Sequence, residues 1–194
     1  MLTNADILNI FNRTGVLQEG HFRLTSGYHS SQYMQCAQLL QYPVEAGLLC
    51  NEIAARFKGE GVDVVMGPAV GGIIVAYEIA RAIGCRSLFC ERENGQMTLR
   101  RGFHLSAGER VLVAEDVVTT GGSVMEAVKL VRQSDAELAG VGLLVDRSGG
   151  KVDFGVRTEA LLKMSIEKYS PEECPFCKQG LPVIKPGSRE VIKN

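Results

Sequence analysis

The feature that most limits how this chain can fold is its rhythm of short apolar runs. VDVVMG (62–67), CRSLFC (85–90), RVLVAED (110–116) and AGVGLLVD (139–146) are separated by helical patterns at roughly 71 to 83 and 122 to 133, with ALLKMS (160–165) a fifth run. Strands that are apolar almost throughout, rather than at alternate positions, are buried on both faces. Alternating with helices, they predict an α/β fold with a central, mostly parallel sheet covered on both sides. Ligands of such sheets gather at the carboxyl ends of the strands. Three runs end there in distinctive chemistry: GPAVGG (67–72), EDVVTTGGS (115–123) and DRSGG (146–150).

The flanks differ. Residues 3 to 14 place Ile7, Leu8, Ile10 and Phe11 on one side of a helix that Gly15 ends. The next stretch, VLQEGHFRLTSGYHSSQYMQCAQLL, mixes β-tolerant residues with Ser-Gly turn chemistry and predicts two antiparallel strands. A helix from Pro43 to about Lys58 follows, closed by Gly59 and Gly61. From Ser170 the tail is rich in Pro, Gly and Lys and is expected to wrap the surface as loop or short helix. A single domain is expected: 1–42 helix and accessory strands, 43–168 α/β core, 169–194 tail.

The charge balance narrows the partners. With 21 basic and 22 acidic residues among 194, the formal charge is −1, which offers no general attraction to nucleic acid or anionic lipid. No apolar run reaches membrane-spanning length, and MLTNADILNIFNRTG lacks the pattern of a signal peptide, so a cytoplasmic protein is expected. Cys36, Cys50, Cys85 and Cys90 lie in or beside apolar segments and read as small packing residues.

VLVAEDVVTTGGS (111–123) carries the sharpest functional signal. At a strand-to-helix junction, TTGGS offers consecutive backbone N–H groups, hydroxyls and the positive end of a helix dipole, which suit a phosphate. Glu115 and Asp116 would repel that phosphate on contact, but accept hydrogen bonds from vicinal hydroxyls or face a hydrated cation. Phosphate and vicinal hydroxyls together describe a ribose 5-phosphate. The plainer alternative is a turn whose glycines serve the backbone and whose acids cap the helix. The Lys of a Walker loop is absent, and so is G-x-G-x-x-G.

The complete run resembles the phosphoribosyl-pyrophosphate signature of the type I phosphoribosyltransferases. GHFRLTSGYHSSQYMQCA (20–37), GPAVGGI (67–73) and LLVDRSGG (143–150) are similar, in order, to the orotate-using branch of that family. The resemblance implies the type I phosphoribosyltransferase fold with a small N-terminal hood. It also implies transfer of ribose 5-phosphate from phosphoribosyl pyrophosphate to orotate, giving orotidine 5′-monophosphate in pyrimidine biosynthesis. A homodimer is expected, and Mg2+ held through the substrate with no direct protein ligand.

By the same resemblance, Glu115 and Asp116 hold the ribose hydroxyls. Thr119, Thr120, Gly121, Gly122 and Ser123 bind the 5′-phosphate, and Val117 and Val118 belong with them to the phosphoribosyl-pyrophosphate site. Pro68, Ala69, Val70 and Gly71, within Gly67 to Gly72, line the pyrophosphate. Thr119 and Arg147 meet orotate, where a guanidinium fork suits a planar base bearing a carboxylate; the bland alternative for Arg147 is a surface salt bridge.

Residues 91–109 form a polar connection in which the family carries a mobile catalytic loop rich in lysine. Here Arg92 stands at the first loop Lys, Gly95 and Met97 near the later Lys and His, Thr25 at an N-terminal Lys and Gly71 at a pyrophosphate-loop Lys. Arg92 is the first choice for the catalytic cation, with Asp116 beside it as a catalytic residue. Arg100, Arg101 and His104 are further sources of charge, and a solvated charge run is the bland alternative.

CPFCKQG (174–180) holds a lone C-x-x-C with no second such pair or nearby His pair in sequence. Reactive thiols or plain structural residues are the leading readings, and a four-thiolate site shared across a dimer axis is a further one. Rival functions are a phosphoribosyltransferase for a purine or uracil, a phosphoribosyl-pyrophosphate-sensing regulator and a catalytically silent binding module. A regulator that bound nucleic acid would need a basic surplus that the chain lacks.

Overall fold

A computed structural model describes residues 2–24 and 26–186. Helix α1 (Asn4–Arg13) opens on a capping box, in which the Thr3 side chain accepts from Asp6 N while the Asp6 carboxylate accepts from Thr3 N. Strands β1 (Leu17–Arg23) and β2 (His29–Met34) pair antiparallel as the hood. A short α2 (Ala37–Leu40), not expected from the sequence, leads to α3 (Pro43–Arg56).

The core then alternates: β3 (Val64–Pro68), α4 (Gly71–Ile83), β4 (Arg86–Glu93), β5 (Gln96–Thr98), β6 (Arg110–Val118), α5 (Gly122–Gln133), β7 (Glu137–Asp146) and β8 (Thr158–Lys163). All five apolar runs are strands of one sheet, ordered β5-β4-β3-β6-β7-β8, parallel throughout except for β5. Helices α1, α3 and α4 bury one face around Phe11, Leu49, Ile53, Phe57 and Ile79. Helix α5 covers the other through Val124, Ala127, Val128 and Val131. The sheet admits α3 closely because two β7 positions are glycine: a Cβ at Gly140 would lie 2.4 Å from Phe57, and one at Gly142 2.7 Å from Ile53.

One sequence expectation changes. The connection 91–109 is not wholly loop, since β4 extends to Glu93 and turns back through Asn94-Gly95, both with positive φ, into β5. That turn chemistry suits a tight hairpin, and it places Arg92 on a strand opposite Met97. The rest is pinned by Phe103 packing edge-on against Phe89 at 5.1 Å. The tail, in turn, is stitched to the hood. His29 N donates to Tyr169 O and Tyr169 N to His29 O, both at 2.9 Å, while Ile184 N donates to His21 O and Arg23 N to Ile184 O, both at 2.8 Å. Its short helix α6 (Pro175–Lys178) carries the C-x-x-C pair.

Candidate active site

Strand order decides where the site forms. From β3 the chain steps outward to β4 on one side, while β6, β7 and β8 build the other, so the winding reverses between β3 and β6. Such a switch point opens a crevice at the strand ends, and the loop after β3 and the acid pair ending β6 meet there. A Cβ built on Gly71 would lie 2.5 Å from Asp116 Oδ2, and one on Gly72 3.0 Å from Glu115 Oε1. A side chain at 71 would therefore need the Asp116 carboxylate to turn aside, so glycine here leaves the carboxylate its present position. The Ala69-Val70 peptide of this loop is cis.

Glu115 is buried, and Asp116 half-buried beside it. Each carboxylate turns back onto backbone, Glu115 Oε1 accepting from Asp116 N (3.1 Å) and Asp116 Oδ1 from Val117 N (2.8 Å). Burial, and then the neighbouring Asp116 charge, push the Glu115 carboxyl well above the usual carboxylate range; burial raises Asp116 also. No described ion pair involves either acid. One buried and one half-buried acid, with no described cation paired to either, leave carboxylate oxygens open to a ligand. The reading of this pair as simple helix caps does not hold, because the side chains lie three or more residues before the N-cap, Gly121, which has no side-chain cap bond.

The Thr-Gly-rich loop follows. Gly121 takes φ +80°, and a Cβ there would sit 2.6 Å from Val152 Cγ1, so both conformation and space demand glycine. Met125 N bonds back to Gly121 O at 2.9 Å, which leaves the amides of Gly122, Ser123 and Val124 without intrahelical acceptors. They face a cleft of about 220 Å³ lined by Arg92, Glu115 and residues 117–124. Arg92 reaches this cleft of its own chain, its Nη2 standing 3.0 Å from Glu126 Oε2. Arg100 and Arg101 do not line it: they are neutralised by Glu93 (3.2 Å) and Glu91 (3.0 Å). His104 is exposed, and Thr25 lies outside the described residues.

Thr119 and Thr120 also line a second cleft, of about 510 Å³, with Arg147, Ser148, Lys151 and residues 165–168. Arg147 is fixed through its backbone, its N donating to Val118 O at 2.8 Å. Buried Asp146 shapes the turn after it, accepting from Ser148 N (2.8 Å), Ser148 Oγ (2.6 Å) and Gly150 N (3.0 Å). Arg147 Nε is buried without a hydrogen-bond partner, and desolvation holds its pKa below the usual guanidinium value. The surface salt bridge considered from sequence is not what the structure shows for this nitrogen. Lys151 and Lys168 add charge that sequence reading missed; Lys168 comes from beyond β8, and no local motif announces its arrival here.

Residues 44–154 match the family model described as the phosphoribosyl transferase domain. The chain is 62% identical over 190 residues to the orotate phosphoribosyltransferase of Pelotomaculum thermopropionicum, covering 98% of this chain and 100% of the relative. The orotate phosphoribosyltransferase of Thermotoga maritima is 54% identical over 183 residues, covering 94% and 98%. Among solved structures, that of orotate phosphoribosyltransferase from Aeropyrum pernix superposes with a TM-score of 0.69 at 23% identity over 81% of this chain and 93% of that one. Adenine phosphoribosyltransferase from Rhodothermus marinus shares the fold at a TM-score of 0.66 and 16% identity, over 83% of this chain and 100% of that one. Fold alone therefore does not select the base, whereas identity along the whole length does: the chain belongs to the phosphoribosyltransferase family and, within it, to the orotate phosphoribosyltransferases.

Proposed function

We propose that the two clefts are the donor and acceptor halves of one transfer site, which moves ribose 5-phosphate from phosphoribosyl pyrophosphate to N1 of orotate and releases pyrophosphate. The observation that carries this reading is their shared wall: Thr119 and Thr120 line both. The open amides at the start of α5 receive the 5′-phosphate, with Val117 and Val118 beneath it. Glu115 and Asp116 accept from the 2′- and 3′-hydroxyls, and the backbone of Pro68 to Gly71 receives pyrophosphate. Mg2+ bound to the donor neutralises pyrophosphate charge, and the unpaired acid pair fits its approach through the ribose hydroxyls.

As the C1–oxygen bond lengthens, positive charge grows on the ribose and negative charge on the leaving group. The acid pair, once ionised by the arrival of the donor and its cation, would stabilise the first, while the loop amides stabilise the second and Arg92 adds positive charge from the adjoining phosphate cleft. Arg147, which lines the acceptor cleft, offers its guanidinium to the flat, anionic acceptor, which Thr119 helps to seat. A pyrophosphate-release assay with orotate, uracil, adenine and hypoxanthine tests the base assignment. Release with orotate alone is expected, and release with a purine or uracil in its place would reassign the acceptor.

Arg92 is exposed and its ion contact with Glu126 is a surface one, worth little to stability. Arg92→Ala is expected to lower kcat by about 100-fold, the scale of losing one charged donor at a developing charge, with the thermal midpoint within a degree or two. Unchanged turnover would remove Arg92 from the site.

The homodimer expected of the family has support in a surface of exposed apolar residues on the packed pair α3 and α4. Val44 is 72% exposed, Tyr77 61% and Leu48 44%, with Ile74 beside them at 40%. Such a stripe marks an interaction face. Tyr77→Asp is expected to convert a dimer to a monomer in sedimentation equilibrium; a parent that is already monomeric contradicts the assignment.

A further inference from the structure

Outside the transfer site, the described residues hold one cluster of metal-ligating side chains. His21 and His29 from the hood meet Cys174 and Cys177 from the tail, and one ligand atom from each lies within 4.8 Å of all the others. We propose that these four residues form a closed Cys2His2 site for a structural metal ion of the zinc class, joining the C-terminal tail to the hood.

The geometry is already close to that of a filled site. Tetrahedral zinc with Zn–S near 2.3 Å and Zn–N near 2.0–2.1 Å sets its N···S edges at about 3.5 Å. Here Cys174 Sγ lies 3.5 Å and Cys177 Sγ 3.6 Å from His21 Nε2, and Cys177 Sγ 3.2 Å from His29 Nδ1. The two ring nitrogens stand 2.9 Å apart, slightly inside the N···N edge of about 3.3 Å that the same bond lengths require. A shift of a few tenths of an ångström would admit the ion.

The tautomer of His21 can be argued from its other side. His21 Nδ1 lies 2.9 Å from Leu181 O. A carbonyl oxygen can only accept, so Nδ1 carries the hydrogen and Nε2 turns a lone pair toward the cluster. A backbone carbonyl behind a ligating imidazole is the usual outer partner of a zinc histidine. Two thiols and two imidazoles, with no carboxylate, select zinc-class ions over Mg2+ or Ca2+. His21, His29 and Cys174 are buried, only Cys177 is exposed, and all four positions are filled by protein. A site without an open position is structural rather than catalytic.

This arrangement replaces the four-thiolate site across a dimer axis, because the cysteines find their partners in their own chain. The sequence concealed it: the histidines precede the C-x-x-C by about 150 residues, and only the backbone pairing of His21 and His29 with Ile184 and Tyr169 brings them together. The ion would fasten a small hood whose own sheet has only two strands and is separate from the six-stranded sheet.

The test is metal analysis of the untagged protein purified under reducing conditions, followed by removal of the metal and titration with Co2+. One zinc per chain is expected. So are tetrahedral Co2+ d–d bands with a thiolate-to-cobalt charge-transfer band, and a fall of about 5 °C or more in thermal midpoint on chelation. Cys174→Ser/Cys177→Ser should lose the charge-transfer band; should that variant not fold, the stoichiometry and the Co2+ spectrum of the parent decide. Failure of the parent to bind zinc or Co2+, or a Cys174–Cys177 disulfide with no response to chelation, would overturn the site. None of these readouts depends on transferase activity.

Discussion

Glu115→Gln is expected to stabilise the free protein while disabling it. The parent holds Glu115 buried beside Asp116 with no cation near, so its folded pKa, about 9, stands above the unfolded value of about 4.3. Below both values the group is protonated in either state and costs nothing. Between them the unfolded chain ionises and the folded one does not, so stability falls as pH rises towards the folded pKa and then levels off. The Gln variant escapes this loss. Its advantage over the parent should be absent near pH 4 and grow by up to about 1.4 kcal/mol per pH unit towards pH 8, read as a rise of several degrees or more in thermal midpoint. Catalysis should move oppositely, with kcat/KM for phosphoribosyl pyrophosphate down by about 100-fold, because a carboxyl that can ionise when the donor and its cation arrive is replaced by an amide that cannot. Differential scanning calorimetry across pH, paired with steady-state kinetics, checks both halves. A variant of parental activity, or one destabilised at pH 8, contradicts the role given to this acid.

Arg147→Ala is expected to separate acceptor from donor. Loss of a forked, charge-assisted contact in a partly desolvated cleft costs about 3–4 kcal/mol, so kcat/KM for orotate should fall by a few hundred-fold or more. Binding of phosphoribosyl pyrophosphate, followed by calorimetry, should change by less than threefold, since Arg147 is not among the residues lining the phosphate cleft. Arg147→Lys should recover little, because an ammonium cannot reproduce the planar fork. The fold should tolerate both changes: Nε has no internal partner to lose. Orotate kinetics that survive the Ala change would move the acceptor elsewhere.

Much of this arrangement is legible in the amino-acid sequence, for a physical reason. Strands buried on both faces must be apolar throughout, so β3, β4, β6, β7 and β8 stand out as continuous apolar runs, and Gly71 and Gly122 open helices where glycine-rich turns meet apolar spacing. The acid pair and the phosphate loop are legible because both are continuous in sequence. What escapes depends on contacts between distant segments. Lys168 joins Arg147 only because β8 runs beside β7, and the zinc-class cluster needs the tail to pair with the hood. The β4–β5 hairpin is hidden by its polar composition, which at a sheet edge is permitted because one side faces water. The missing lysine at position 71 is visible as a departure, whereas the closeness of Gly71 to Asp116 is not.

The proposed transfer brings donor and acceptor together across Thr119 and Thr120, and one measurement addresses transfer directly. Orotate absorbance is followed in the ultraviolet with the purified protein, phosphoribosyl pyrophosphate and Mg2+, while pyrophosphate is counted in the same reaction. Orotate loss matched one for one by pyrophosphate and by orotidine 5′-monophosphate is the expected result. Unchanged orotate in a protein that binds phosphoribosyl pyrophosphate would contradict it, leaving a site that senses the donor and transfers nothing.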